Sequence, residues 1–233
     1  MQLIARFAAL LGLVFFLSCN SKTDTAQTSA DRADSVATAT TTASDKKKVI
    51  VFFGNSLAAG YGLENTADAF PNRIGARIDS LGLPYRVVNA GLSGETTAGG
   101  RSRVGWVLRQ PADIVVLELG GNDGLRGIPL NSSRANLQAI IDTVRLKNPA
   151  AQIVIAGMQI PPNLGRAYTN EFRGIFKELA TKNKAVLIPF LLENVGGDPK
   201  LNQADGIHPN VEGHRIVAEN VWKIMQPLLQ KAL

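Results

Sequence analysis

Val49-Ile-Val-Phe-Phe53, followed at once by Gly54-Asn-Ser-Leu57, is the stretch that decides the fold. Five consecutive apolar residues, rich in β-branched and aromatic side chains, read as a strand buried on both faces. A glycine and two polar residues then stop it within one turn. Four more strand candidates follow, at Tyr85–Val88, Ile114–Leu119, Gln152–Ala156 and Ala185–Pro189. Helical periodicity fills the intervals at Ala69–Leu81, Arg134–Lys147 and Asn170–Lys182, and again at Pro209–Leu229. Asn131 or Ser132 is placed to cap the second of these, and Pro209 suits a first helical turn, where a missing N–H costs little. Alternation of strand and helix predicts one α/β domain over residues 46–233, a parallel sheet with helices on both faces.

Such sheets bind ligands beyond the carboxyl ends of their strands. The loops after the first three strands are therefore the places for chemistry: Gly54-Asn-Ser-Leu57, Asn89-Ala-Gly-Leu-Ser-Gly-Glu95 and Gly120-Gly-Asn-Asp-Gly124. Histidine narrows the choice further, because the chain has only His208 and His214. Asp205-Gly-Ile-His208 puts a carboxylate three residues before an imidazole on a tight loop, suited to holding its tautomer and stabilising its cation. His214 stands in the following helix beside Arg215, and reads as a helix-surface histidine or one satisfied by a partner. Two histidines six residues apart, with no ligand motif, do not make a metal site.

A serine nucleophile needs such a base. Ser56 stands just after the first strand, where a nucleophile would be exposed, although a residue there could equally cap the next turn. No Gly-x-Ser-x-Gly elbow exists, which disfavours an ordinary α/β-hydrolase. Donors for an oxyanion are available at the Gly94 backbone and the Asn122 amide.

Taken together, Gly-Asn-Ser-Leu around Ser56, Ser-Gly-Glu-Thr around Gly94, Gly-Gly-Asn-Asp around Asn122 and Asp-Gly-Ile-His-Pro-Asn around His208 resemble the SGNH, or GDSL, hydrolase family, in its order. Glu118-Leu-Gly-Gly-Asn-Asp-Gly-Leu-Arg-Gly127 and Pro161-Pro-Asn-Leu-Gly-Arg-Ala-Tyr168 resemble its arylesterase, acyl-CoA thioesterase and lysophospholipase branch. The resemblance implies a three-layer, flavodoxin-like α/β/α sandwich with a five-stranded parallel sheet. It implies Ser56, Asp205 and His208 as a triad and the Ser56 and Gly94 N–H groups with the Asn122 amide as the oxyanion hole. Ile160, Pro161 and Leu164 become substrate-binding residues, small acyl esters or thioesters the substrates, and no cofactor is expected. One position departs from the pattern: the family usually carries Asp before the serine, and here it is Asn55. Other expectations for the same fold are a carbohydrate O-acetyl esterase, for which Trp106, Trp222 and three tyrosines are a thin aromatic supply, and a non-catalytic binding module.

The N-terminus differs in kind. Arg6 precedes the apolar run Phe7–Leu17, which is too short for an ordinary membrane span. Phe-Leu-Ser-Cys19 resembles a bacterial lipoprotein cleavage box, making residues 1–19 a signal peptide and Cys19 a lipidation site. A plain signal peptide and a retained anchor are the alternatives. Cys19 is the only cysteine, so no internal disulfide forms. Residues 20–45, rich in Ser, Thr, Ala and Asp, bury too little to offset chain entropy and read as a disordered tether. The expectation is an exported, membrane-anchored lipoprotein of the periplasm or cell surface. The formal charge of +6 is scattered, no nucleic-acid motif appears, and Lys46-Lys-Lys48 reads as a solvated lead into the first strand.

Overall fold

A computed structural model of the chain describes residues 47–230, all within one unit, Ser44–Leu233. The expected signal peptide, Cys19 and the expected tether over residues 20–45 lie outside the described residues. Five strands form one all-parallel sheet in the order β2-β1-β3-β4-β5: β1 Lys48–Gly54, β2 Tyr85–Asn89, β3 Ile114–Glu118, β4 Gln152–Ala156 and β5 Val186–Ile188. β1, β3 and β4 are buried almost throughout, which is why they read as unbroken apolar runs rather than alternating ones.

Among the described residues seven α-helices accompany the sheet, six between strands and the last after β5: α1 Ser56–Ala59, α2 Phe70–Ser80, α3 Thr97–Val107, α4 Gly121–Leu125, α5 Leu130–Lys147, α6 Arg166–Lys182 and α7 Val211–Gln230. α2 packs against α7, while α3 packs against α5 and α5 against α6. Ring pairs tie both sides of the core. Phe52 of β1 meets Phe70 of α2 edge-on at 5.6 Å, and Phe172 meets Phe176 at 5.3 Å. Each such pair adds about 0.5–1.5 kcal/mol beyond its area burial.

Several helix starts differ from the sequence expectation. α5 begins at Leu130 behind Pro129, so Asn131 and Ser132 lie inside it and cap nothing; Asn131 instead accepts from Arg134. α6 starts at Arg166 rather than Asn170, after a 3-10 turn over Pro162–Leu164. α7 starts at Val211, because Pro209 is held in an antiparallel bridge with Asn202. α3 and α4 carry no apolar stripe that predicts them. α3 holds three glycines, and Gly100 packs so closely on Leu119 that a Cβ there would lie 2.3 Å from its side chain.

The strand order reverses beside β1: the chain steps outward from β1 to β2, then crosses back to β3 on the other side. The loops leaving β1 and β3 therefore diverge, opening a crevice at their carboxyl ends.

Candidate active site

Ser56 is the first residue of α1, directly beyond β1. The turn that carries it is fixed from several sides. The Asn55 side chain caps α1 by accepting from Leu57 N at 3.0 Å. Asn89 Nδ2 donates to the Ala58 carbonyl at 2.7 Å, and Leu92 N to the Gly54 carbonyl at 2.9 Å. Gly91 permits this approach of the β2 loop, since a Cβ there would stand 2.3 Å from Ala59 N.

The loop before α7 brings the histidine. His208 Nε2 lies 2.8 Å from Ser56 Oγ, and His208 Nδ1 lies 2.7 Å from Asp205 Oδ2. Asp205 Oδ1 also accepts from the N–H groups of Ile207 and His208, both at 3.0 Å, so the loop wraps around its own carboxylate. Burial pushes the Asp205 carboxyl up. Hydrogen bonds from the His208 ring, His208 N and Ile207 N outweigh it and hold the group below its ordinary value, hence ionised.

Two residues that the sequence reading did not single out dock this loop on the serine turn. Gln203 Nε2 donates to the Tyr61 carbonyl at 2.7 Å and to the Pro209 carbonyl at 3.0 Å. The Tyr61 ring leans on the His208 ring, centroids 4.8 Å apart. Gln203 and Tyr61 are 142 residues apart in sequence, and no local pattern signals their contact.

Asn122 sits in α4 beyond β3. Its Nδ2 gives one hydrogen to the Glu95 carbonyl at 3.0 Å, and an amide has a second to offer. Its neighbour Asp123 is buried and accepts from Thr97 N at 2.8 Å and Ser133 Oγ at 3.1 Å, pinning α4 to the starts of α3 and α5. Glu95 is paired with Arg103. Tyr168, from the branch-specific stretch, donates to the Ile128 carbonyl at 2.8 Å, tying α6 to the α4–α5 link.

Ser56, Asn122 and His208 line one cavity of about 410 Å³. Its remaining wall is mainly apolar, including Leu57, Met158, Ile160, Pro161, Leu192 and Ile207. Of the three residues expected to hold substrate, Ile160 and Pro161 are in this wall. Leu164 is not; it is 42% exposed and reaches over Gly127. Gly94 is also outside the wall, at an exposed turn with φ of 78° whose carbonyl accepts from Arg126 at 3.3 Å. It stands one residue before Glu95, whose carbonyl holds Asn122.

His214 is 1% exposed, not on the helix surface. Its Nδ1 accepts from Phe70 N at 3.3 Å and so caps α2, whose own N-cap residue is Ala69. Burial, with Arg73 nearby, pushes its pKa down to about 4. Burial pushes the Glu118 carboxyl the other way, to about 8, against the lowering effect of hydrogen bonds from Asn55 and Ala58. Among the described residues no cluster of three or more His, Cys, Asp or Glu is arranged to hold a metal, and no helix is long and apolar enough to cross a membrane.

Comparison with known proteins matches residues 52–216 to the GDSL-like lipase/acylhydrolase family. The chain is 39% identical to "Esterase TesA" of Pseudomonas aeruginosa over 184 residues, 78% of this chain and 90% of that protein. It is 35% identical to "Thioesterase 1/protease 1/lysophospholipase L1" of Escherichia coli strain K12 over 181 residues, 77% of this chain and 84% of that one. The crystal structure of TesA superposes with a TM-score of 0.74 at 38% identity, covering 78% of this chain and 99% of that chain.

Proposed function

The chain belongs to the GDSL-like lipase/acylhydrolase family and is an ester-hydrolysing enzyme, and from that premise we propose that it works by two-step acyl transfer through Ser56. His208 Nε2 takes the Ser56 hydroxyl proton as Oγ attacks the acyl carbonyl. Ionised Asp205 fixes the proton of the neutral ring on Nδ1 and stabilises the imidazolium that forms. The carbonyl oxygen becomes an oxyanion, received by the second Asn122 amide hydrogen and the Ser56 backbone N–H, both in the cavity wall; the Gly94 N–H, outside that wall, joins them only as the family pattern implies. Collapse expels the alcohol or thiol, which takes the proton from His208. Water then attacks the acyl-enzyme by the same route in reverse, releasing the acid and free Ser56.

The observation that carries this reading is the unbroken chain Asp205–His208–Ser56, at 2.7 and 2.8 Å, opening into a cavity that also holds Asn122. The cavity's volume lies in the range of small-molecule sites, and its apolar wall suits the hydrocarbon of a short to medium acyl group. Ile160 and Pro161 are the wall residues that contact it in this reading. The same wall favours acyl chains over sugars, which are held mainly by polar and aromatic groups.

The chain's N-terminal pattern supports export and lipidation at Cys19, with the hydrolase domain carried on the tether at a membrane surface. The substrate reading is tested with the mature chain on p-nitrophenyl esters of increasing length, acyl-CoA thioesters and acetylated sugars. Turnover is expected on esters and thioesters, highest at short to medium length. Preference for acetylated sugars, or no turnover on any ester, contradicts it.

A further inference from the structure

Glu118 is a charged-type residue closing an apolar strand, it is wholly buried, and the acyl-transfer steps above do not use it. Its position is set by register. Gly54 at the end of β1 pairs with Glu118 at the end of β3. The carboxylate crosses over Gly54, where any Cβ would lie 2.4 Å from Oε2. From there Oε2 accepts from Asn55 N at 3.0 Å and from Ala58 N at 3.3 Å, while Oε1 accepts from Asn55 Nδ2 at 2.9 Å. The carboxylate thus grips the backbone on both sides of Ser56. The Asn55 amide cannot turn round, because its Oδ1 is committed to Leu57 N.

We propose that Glu118 is a positioning residue for the Ser56 nucleophile, and that Asn55 and Glu118 form one carboxamide–carboxylate clamp whose two chemical groups are interchangeable between the positions. The proposal rests on Ser56 being the nucleophile. Its physical basis is matching of donors to acceptors. Three N–H donors face Glu118, and its two carboxyl oxygens accept from all of them; these bonds favour the ionised form against the burial that pushes the group up. Glutamine at 118 keeps one acceptor for the two backbone N–H groups but turns an NH₂ toward the Asn55 NH₂. Two donors then face each other in a buried site, and both lose a partner. Aspartate at 55 with Glu118 retained makes two carboxyls face each other. That arrangement holds only while they share one proton, the added carboxyl donating where Nδ2 does now. With aspartate at 55 and glutamine at 118, one donor again meets one acceptor and a single charge remains.

Other charged groups near the pair are Glu95, which raises Glu118 further and is itself paired with Arg103, and the Asp205–His208 couple across Ser56. All are common to every variant, so differences between variants report the clamp.

The test is an exchange cycle of wild type, Asn55→Asp, Glu118→Gln and the double variant. Each is measured for kcat and KM on one short p-nitrophenyl ester from pH 6.5 to 9.5, for fluorophosphonate labelling rate, and for urea stability. Asn55→Asp is expected to stay within about threefold of wild-type kcat at pH 6.5 and to fall at least tenfold as pH rises to 9.5, when the shared proton is lost. Wild type holds or rises over that interval. Glu118→Gln loses at least tenfold in kcat at every pH, with KM changed less than threefold. The double variant recovers to within about threefold of wild type and keeps its rate at pH 9.5. If Glu118→Gln does not fold, a folded and active double variant is the same rescue. A double variant that is unfolded, or no faster than the slower single one, overturns the proposal. So does an Asn55→Asp profile parallel to wild type, or single variants that lose stability alone. Failure of the nucleophile reading is separable, since wild type would then take up no label at Ser56.

Discussion

Acid sensitivity of the fold is traceable to His214. Its ring is buried between α7 and α2, stacked on Phe70 with centroids 6.3 Å apart and accepting a hydrogen bond from Phe70 N at 3.3 Å. Only the neutral ring accepts that bond, and its pKa falls from 6.5 to about 4. A histidine whose folded pKa is depressed contributes its full stability above the unfolded value. That stability is lost as pH falls through the window between 6.5 and about 4, where the unfolded chain binds a proton and the folded chain does not. Integrating between pH 7 and pH 4.5 with those two values gives a loss of about 2 kcal/mol from this one group. The perturbation is His214→Asn, which keeps an oxygen acceptor where Nδ1 stands and removes the titration. The assay is urea unfolding of wild type and variant at pH 7, 5.5 and 4.5. The variant is expected to be less stable at pH 7, since it loses packing on Phe70. Between pH 7 and 4.5, wild type is expected to lose about 2 kcal/mol more stability than the variant. Every other side chain is common to both proteins, so the difference between the two curves reports position 214. Parallel pH dependences would refute the buried, neutral assignment of His214, whatever the absolute stabilities.

His208→Ala is expected to lower kcat by about three or more decades, because Ser56 is then unactivated, whereas His214→Ala leaves kcat at pH 8 nearly unchanged; steady-state kinetics on one ester ranks them. Asn122→Ala is expected to cost roughly 10²–10³ in kcat with little change in KM, as befits a donor used mainly in the transition state, and a change confined to KM would contradict that role. Cys19→Ser is expected to leave an uncleaved precursor or move the protein from the membrane to the soluble fraction, checked by fractionation and N-terminal mass spectrometry.

The central strands were legible because burial on both faces demands apolar runs: Val49–Phe53 is one, and Ile114–Leu119 is another apart from Glu118. α2 and α7 were legible because each packs an apolar stripe on one side of the sheet. α3 was not. It packs through Gly100 and Val104, and close backbone approach at a glycine leaves no periodic signal. α4 has five residues, two of them glycine, and looks like a loop in sequence. The residues that meet in the cavity follow from strand ends: Ser56 after β1, Asn122 after β3 and His208 before α7 are carried there by the switch in strand order. What holds them was largely hidden. Gln203 and Tyr61 act through partners distant in sequence, and a glutamine or a tyrosine in a loop has no local mark. Glu118 did carry a mark, an acidic side chain in a buried apolar run, which costs too much to be left without donors. Leu164 is an apolar residue in a motif-bearing loop that is 42% exposed and does not line the cavity, and sequence alone does not separate it from Ile160 and Pro161, which do.

The most direct test of the central claim is where a mechanism-based label lands. The mature enzyme is treated with a fluorophosphonate, digested, and mapped by mass spectrometry, in parallel with Ser56→Ala. The account predicts one stoichiometric adduct on Ser56, loss of ester hydrolysis in step with labelling, and a folded, unlabelled and inactive alanine variant. An adduct on Ser93 or another serine, or full activity in Ser56→Ala, would contradict it.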